Sequence, residues 1–253
     1  MDKPIISYVI PCYNCETSII DTVESIKYTH EEAMQAKEKE SQWPNIEIIL
    51  VNDGSTDATG IILEYLKQEY SNVRVIDNGK NLGRGCSRNK GNEAAEADII
   101  AVLDSDDIHV ADRTNEILSV FEEETKAEVF YSSFYIKNLD TNDIDLKVAG
   151  RIDREFLQKT GQFKIGHSTV AYKKKTIQTF PYSEDKNHDD WAMLWTMFSH
   201  GVKFTYSEKP LVTYTFTNKG RANEFIPGKQ ESILRKKQQI MEPYFKGESD
   251  VSK

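Results

Sequence analysis

Residues 5–104 carry four apolar runs, each separated from the next by a helical pattern, and this alternation limits what the chain can fold into. "IISYVI" (5–10), "IEIILVND" (46–53), "VRVID" (73–77) and "IIAVLD" (99–104) read as buried strands. Between them, "ETSIIDTVESIKY" (16–28) sets Ile19, Ile20, Val23 and Ile26 on one helical face. "STDATGIILEYLKQEY" (55–70) opens with a Ser/Thr/Asp cap and carries Ile61, Ile62, Tyr65 and Leu66. "GRGCSRNKGNEAAEA" (83–97) is a helix with a glycine-loosened start. Strands joined by helices imply βαβ units and a mostly parallel sheet. Such sheets bind ligands in the crevice beyond the carboxyl ends of their strands.

Three of those ends carry chemistry. "PCYN" offers Tyr13, an aromatic face on which a base can stack. "NDGSTD" offers Asp53 on a tight turn, where Gly54 tolerates unusual backbone angles and the carboxylate suits the imino N–H of a pyrimidine. "DSDD" gathers Asp104, Asp106 and Asp107 at the end of an apolar strand. Like charges so close repel, and one or more is expected to shift towards the protonated form unless something positive sits there. Mg²⁺ or Mn²⁺ prefers such hard oxygens and commonly binds one or two carboxylates plus a diphosphate. Arg88, near the start of the third helix, adds positive charge to the same crevice. Each signal alone is also what a plain solvated turn looks like; their order and spacing make the case.

Taken in order, "ISYVIPCYNCETSIIDTVESI", "IEIILVNDGSTDAT", "NLGRGCSRNKG" and "IIAVLDSDD" resemble the successive motifs of family 2 glycosyltransferases with the GT-A fold. The resemblance is close over about 5–110 and looser to about 215. It implies an α/β fold: a Rossmann-like, mostly parallel central sheet flanked by helices, with a smaller acceptor-side subregion and a C-terminal helix. It divides the chain into a catalytic domain over 1–215 (a nucleotide-binding half, 1–110, and an acceptor half, 111–215) and a lid or helical tail over 216–253. The implied activity is inverting transfer of a hexosyl or N-acetylhexosaminyl group from a UDP-sugar. The receiving group is a hydroxyl of a glycan, glycoprotein or polyol-phosphate, as in bacterial cell-surface polysaccharide synthesis, with Mn²⁺ or Mg²⁺ as cofactor.

The same resemblance assigns residues. Pro11 and Tyr13 flank the base, Asp53 reads the uracil edge, and Asn81 and Arg88 complete the nucleotide pocket. Asp104 and Ser105 lie against ribose and diphosphate, Asp106 is the direct metal ligand with Asp104 as its partner, and Asp107 supports. A later acidic motif, "HDDWAMLWTMFSHG", matches as Asp189-Asp190-Trp191, with Asp189 in place of the family's Glu. Asp190 aligns with the general base, and burial beside Trp191 and Trp195 is expected to raise its pKa. Asp189 and Trp191 fall on the acceptor side. So does His167 of "GHST", either touching donor phosphate or acceptor or serving structure. Glu184 and Asp185 are the rival for the base.

Composition sets outer bounds. With 253 residues and a net charge of −9, the chain is large enough for one sizeable core and lacks the basic excess of a general nucleic-acid binder. No run approaches the ~18 apolar residues of a membrane span, and "MDKPIISYVIPCYN" lacks a signal-peptide pattern. The expected place is the cytoplasm, with peripheral contact at the inner face of a membrane an option. Cys12 and Cys15 form a C-x-x-C, read first as incidental and second as redox or half a zinc site. The charged stretch 29–45 reads as a solvated helix extension and loop, or else a partner-binding arm. In the tail, Ile233, Leu234, Ile240, Met241, Tyr244 and Phe245 recur at near-helical spacing beside Lys229, Arg235, Lys236 and Lys237. That face suits packing on the chain itself or on a twin subunit, with an anionic membrane as the alternative. "YTFTNKGRANEF" (214–225) is either a lid over the diphosphate or a loose connection.

Three other readings fit less well. A D-x-D phosphatase of the haloacid dehalogenase type carries its motif on the first strand, and here it lies on the fourth. A sugar nucleotidyltransferase needs an N-terminal Gly-rich basic loop, which "VIPCYNCE" lacks. A non-catalytic nucleotide-sugar binder has no need of "HDDW".

Overall fold

The computed structural model describes residues 3–36, 45–110, 112–183 and 189–217. The expected alternation is present: β1 (Ile6–Cys12), α1 (Ile19–Ala36), β2 (Ile46–Asn52), α2 (Thr59–Glu69), β3 (Val73–Asp77), α3 (Arg84–Ala94) and β4 (Ile99–Val102). β2 pairs with β1 and β3, and β1 with β4, all parallel. Alternate residues of each strand face opposite sides. Tyr8, Ile10, Ile48 and Leu50 pack with Ile19, Val23 and Ile26 of α1 and Leu63 and Leu66 of α2. Val9, Ile49, Val51 and Val102 pack on the other side. Both faces are covered, which is why these strands read as unbroken apolar runs.

The helical stripes differ in detail from the sequence reading. In α2 the buried positions are Thr59, Leu63 and Leu66, one face at i, i+4, i+7, while Ile61 and Tyr65 are exposed. Ile20 likewise points outwards from α1.

Beyond β4 the chain adds β5 (Ile108–His109), α4 (Arg113–Glu123), β6 (Val129–Asn138), β7 (Ile144–Lys147), α5 (Arg154–Thr160), a 3-10 turn (His167–Thr169), β8 (Ala171–Lys173), α6 (Lys174–Thr179), α7 (Asp189–Ser199) and β9 (Phe204–Phe216). Among the described residues one sheet runs β3-β2-β1-β4-β8-β6-β9-β5, with β7 on the side of β6. β8 enters antiparallel to both β4 and β6, so the sheet is parallel on its first side and mixed on its second. The stretch 138–147, expected as a turn-rich connection, closes as a hairpin whose second arm, β7, is exposed along its whole length. The α7 helix, Met193, Leu194 and Met197 inward, covers the second core, and Gly201 closes it at φ +75°. No described helix is long and apolar enough to cross a membrane. The apolar spacing of 233–245, the rival acids Glu184 and Asp185 and most of "YTFTNKGRANEF" lie outside the described residues.

Candidate active site

The ends of β1, β2 and β3 are laced together. Asn14, at φ +49°, accepts at Oδ1 from Thr56 N over 2.8 Å, and Glu16 Oε2 accepts from Ala58 N over 2.7 Å. Asp53 is buried at the centre. Its Oδ1 accepts from Leu82 N (2.8 Å) and Asn78 Nδ2 (2.9 Å), and its Oδ2 from Gly83 N (2.9 Å). The carboxylate thus fastens the loop before α3 while keeping Oδ2 lone-pair capacity towards the cleft. Gly54, at φ +70°, lets that loop pass closely: a Cβ there would meet Lys80 C at 2.4 Å and Asn81 N at 2.6 Å.

The fourth end splits its acids. Arg88 is buried on α3 and donates from Nη2 to Asp104 Oδ1 over 2.5 Å. Burial alone would raise the Asp104 pKa, but the Arg88 guanidinium, with His167 behind it, holds it down at about 2. Asp106 is exposed, and its backbone carbonyl accepts from Thr215 Oγ1 over 2.5 Å. Asp107 turns inwards, accepting from Ser168 Oγ at Oδ2 (2.5 Å) and from Thr215 N at Oδ1 (3.3 Å). Burial, then the charges of Asp104 and Asp106, push its pKa well up. The repulsion foreseen within the cluster falls on this one residue.

These ends enclose a cleft of about 470 Å³. It is lined by the eight residues expected to meet a nucleotide-sugar: Pro11, the exposed ring of Tyr13, Asp53, Asn81, Arg88, Asp104, Ser105 and Asp106. Arg84 and Tyr214 line it too, and neither was singled out from the sequence. Arg84 was legible, because it stands four residues before Arg88 and so shares its helix face. Tyr214, whose hydroxyl accepts from Ser168 N over 2.6 Å, comes from β9 and opens the 214–225 stretch read as a lid or a loose connection, without having been named itself.

Asp190 heads α7, half-buried, with Oδ1 accepting from Trp191 N (2.7 Å) and 3.9 Å from Arg84 Nη2. The expected upward pKa shift is overturned. Burial does push upwards, but His167, Arg84 and Arg88 together bring the carboxyl below its ordinary value. Trp191 also departs from expectation. Its ring is buried, stacks on Trp195 at 6.0 Å and 6°, and donates from Nε1 to Gly161 O over 2.8 Å. It packs with Leu157 and Trp195 and is not among the residues that line the cleft. His167 is buried, with Nε2 3.0 Å from Tyr182 OH, and burial together with Arg88 lowers its pKa to about 4. The side chain of Asp189 lies outside the described positions.

Cys12 and Cys15 are free, buried thiols that share a hydrogen bond. Among the described residues no three His, Cys, Asp or Glu side chains converge as a metal cage. What the cleft offers a divalent ion is the hard-oxygen pair Asp104 and Asp106, one of them exposed. That donor set fits an ion that takes its remaining ligands from a diphosphate and water.

Comparison with known proteins places this geometry. The model of the family described as "Glycosyl transferase family 2" matches residues 7–208. An uncharacterized glycosyltransferase of Haemophilus influenzae is 30% identical over 193 residues, covering 76% of this chain and 71% of that one. A protein of Escherichia coli named UDP-Glc:alpha-D-GlcNAc-diphosphoundecaprenol beta-1,3-glucosyltransferase WfaP is 29% identical over 79% of this chain and 72% of its own length. The crystal structure of S. aureus TarS 1-349 in complex with UDP-GlcNAc superposes with a TM-score of 0.67 at 17% identity, covering 94% of this chain but only 66% of that chain. Fold, motif order and relatives agree: this chain belongs to glycosyl transferase family 2 and has the GT-A fold.

Proposed function

We propose that the protein moves a sugar from a UDP-sugar to an acceptor hydroxyl with inversion at the anomeric carbon, in a metal-dependent reaction with Asp190 as general base. The observation that carries this reading is one cleft uniting an exposed aromatic ring, a buried carboxylate and an Arg88-paired acid loop. The names of the TarS complex and of WfaP, which mention UDP-GlcNAc and UDP-Glc, support a UDP-sugar donor.

Each residue then has a task. Tyr13 stacks on the uracil and Asp53 Oδ2 accepts its imino N–H. Arg88 steadies Asp104 beside the ribose and diphosphate. Asp106, with Asp104 beside it, would hold a divalent ion, Mn²⁺ or Mg²⁺, which would supply positive charge against the leaving diphosphate. Asp190 takes the proton of the acceptor hydroxyl. The acceptor oxygen bonds to the anomeric carbon as the bond to the diphosphate oxygen breaks, and its electron pair leaves with UDP. A hydroxyl of a glycan, glycoprotein or polyol-phosphate is the proposed acceptor class. The test is UDP release from a panel of UDP-sugars, with and without Mn²⁺. Release from none of them, even with added acceptor mixtures, would overturn the reading.

A further inference from the structure

Tyr182 follows α6, lies in neither helix nor strand, and is buried. A buried residue outside regular structure must find partners for its own N–H and C=O. One side chain of α3 supplies both. Asn89 Oδ1 accepts from Tyr182 N over 2.9 Å, and Asn89 Nδ2 donates to Tyr182 O over 3.0 Å. A carboxamide both accepts and donates, so here it stands in for a neighbouring strand. The same helix holds the rest of the residue. Arg88 Cζ lies 5.4 Å from the centre of the Tyr182 ring. Asn92 Oδ1 accepts from Tyr172 OH over 3.1 Å, and that hydroxyl lies 3.2 Å from Tyr182 OH. Tyr182 OH in turn lies 3.0 Å from His167 Nε2.

We propose that Asn89 is a positioning residue for the transfer: by clamping the Tyr182 backbone to α3 it sets the base at a fixed spacing from the donor. The inference rests on the donor and base assignments proposed above. Arg88, next to Asn89 in the chain, is tied to Asp104 on the donor side. The charges of Asp104 and Asp190 both reach His167, and that of Asp190 reaches Tyr182. The acid assigned to the donor and the acid assigned to the acceptor therefore meet around the Tyr182–His167 pair that Asn89 holds. These two acids come from distant parts of the chain, and a misplacement of ~1 Å between reacting groups can cost about 10²-fold in rate. The clamp fixes that spacing. Without it Tyr182 keeps its ring in the core but loses its register on α3, and His167 shifts with it. Asp104 keeps its Arg88 partner, so donor binding is spared while the base is misplaced.

The test compares the wild type, Asn89→Ala and Asn89→Asp as full chains. Calorimetry with UDP and Mn²⁺ gives the affinity and counts the folded sites. UDP release from the UDP-sugar that the wild type turns over gives KM, and kcat per counted site, so a merely unstable variant is not mistaken for a slow one. Asn89→Ala should bind UDP within about twofold of the wild type and keep its KM, while kcat per site falls at least about tenfold. Asn89→Asp keeps an acceptor for Tyr182 N but turns an oxygen instead of a donor to Tyr182 O, and its kcat should fall likewise with UDP affinity kept. Wild-type kcat per site in Asn89→Ala, or in Asn89→Asp should the alanine variant not fold, overturns the positioning role alone. So does a loss of UDP affinity as large as the loss of kcat, which would make Asn89 part of the donor pocket. No UDP release by the wild type from any UDP-sugar overturns the transfer reading and the positioning role with it.

Discussion

Ser168 ties two acids of one loop together: its Oγ donates to Asp107 Oδ2 over 2.5 Å and accepts from Asp104 N over 3.1 Å. One hydroxyl thereby holds the buried Asp107 in the wall of the cleft that Asp104 and Asp106 also line. Its backbone carbonyl also accepts from Nη2 of the buried Arg113 over 2.6 Å. Ser168→Ala leaves a buried carboxyl short of a donor and should cost about 1–3 kcal/mol of stability. Urea denaturation measures this, and an unchanged midpoint would show that Asp107 finds another partner.

Asp190→Asn removes the proposed proton acceptor but keeps the size and the bond to Trp191 N. Transfer should fall by about 10²–10⁴-fold, the usual worth of a general base. UDP affinity, read by calorimetry, should be retained. Lost UDP binding would instead make Asp190 part of the donor pocket.

Asp106→Ala should act on the proposed metal site alone. With Mn²⁺ present the variant should bind UDP more weakly than the wild type, and without Mn²⁺ the two should match. Mn²⁺ dependence that survives the substitution would move the ligand role elsewhere.

Acid should loosen the fold above the carboxylate range. His109 is held well below its ordinary pKa by burial and then by Arg113, and His167 is held at about 4 by burial and then by Arg88. The unfolded chain takes these protons near pH ~6.5, before the native state does. Their contribution is therefore fully present above that pH and is lost as pH falls towards about 4. The urea midpoint should drop across this window, and His109→Gln should flatten the drop. An equally steep fall in that variant would assign the loss to other groups.

The gathering of the residues proposed to hold the donor was legible because its information is local. Each strand end follows its own apolar run, and βαβ geometry brings the ends of β1, β2 and β4 together without further instruction. What was not legible came from distance. The inward turn of Asp107 depends on Ser168 and Thr215, and the low pKa of Asp190 depends on guanidiniums that α3 contributes. Judged from its sequence neighbours Trp191 and Trp195, Asp190 looked like an acid in apolar surroundings; the tryptophans in fact stack on each other in a core of their own. β8, only three residues long, gave too short a pattern to announce that the sheet changes direction there.

β9 runs beside β6 from Val129↔Phe204 to Asn138↔Phe216 and pairs at its far end with β5. Its Thr215 touches both Asp106 and Asp107. Contacts between positions so far apart in the chain close large loops and form slowly, whereas the first βαβ units need only near neighbours. In kinetic terms the end of the cleft around Tyr13 and Asp53 can form early, while the acid loop waits for the last strand. A partly folded chain would then hold the proposed base pocket with no set place for the proposed metal, so Mn²⁺-dependent UDP binding would report completion of folding and not merely its beginning.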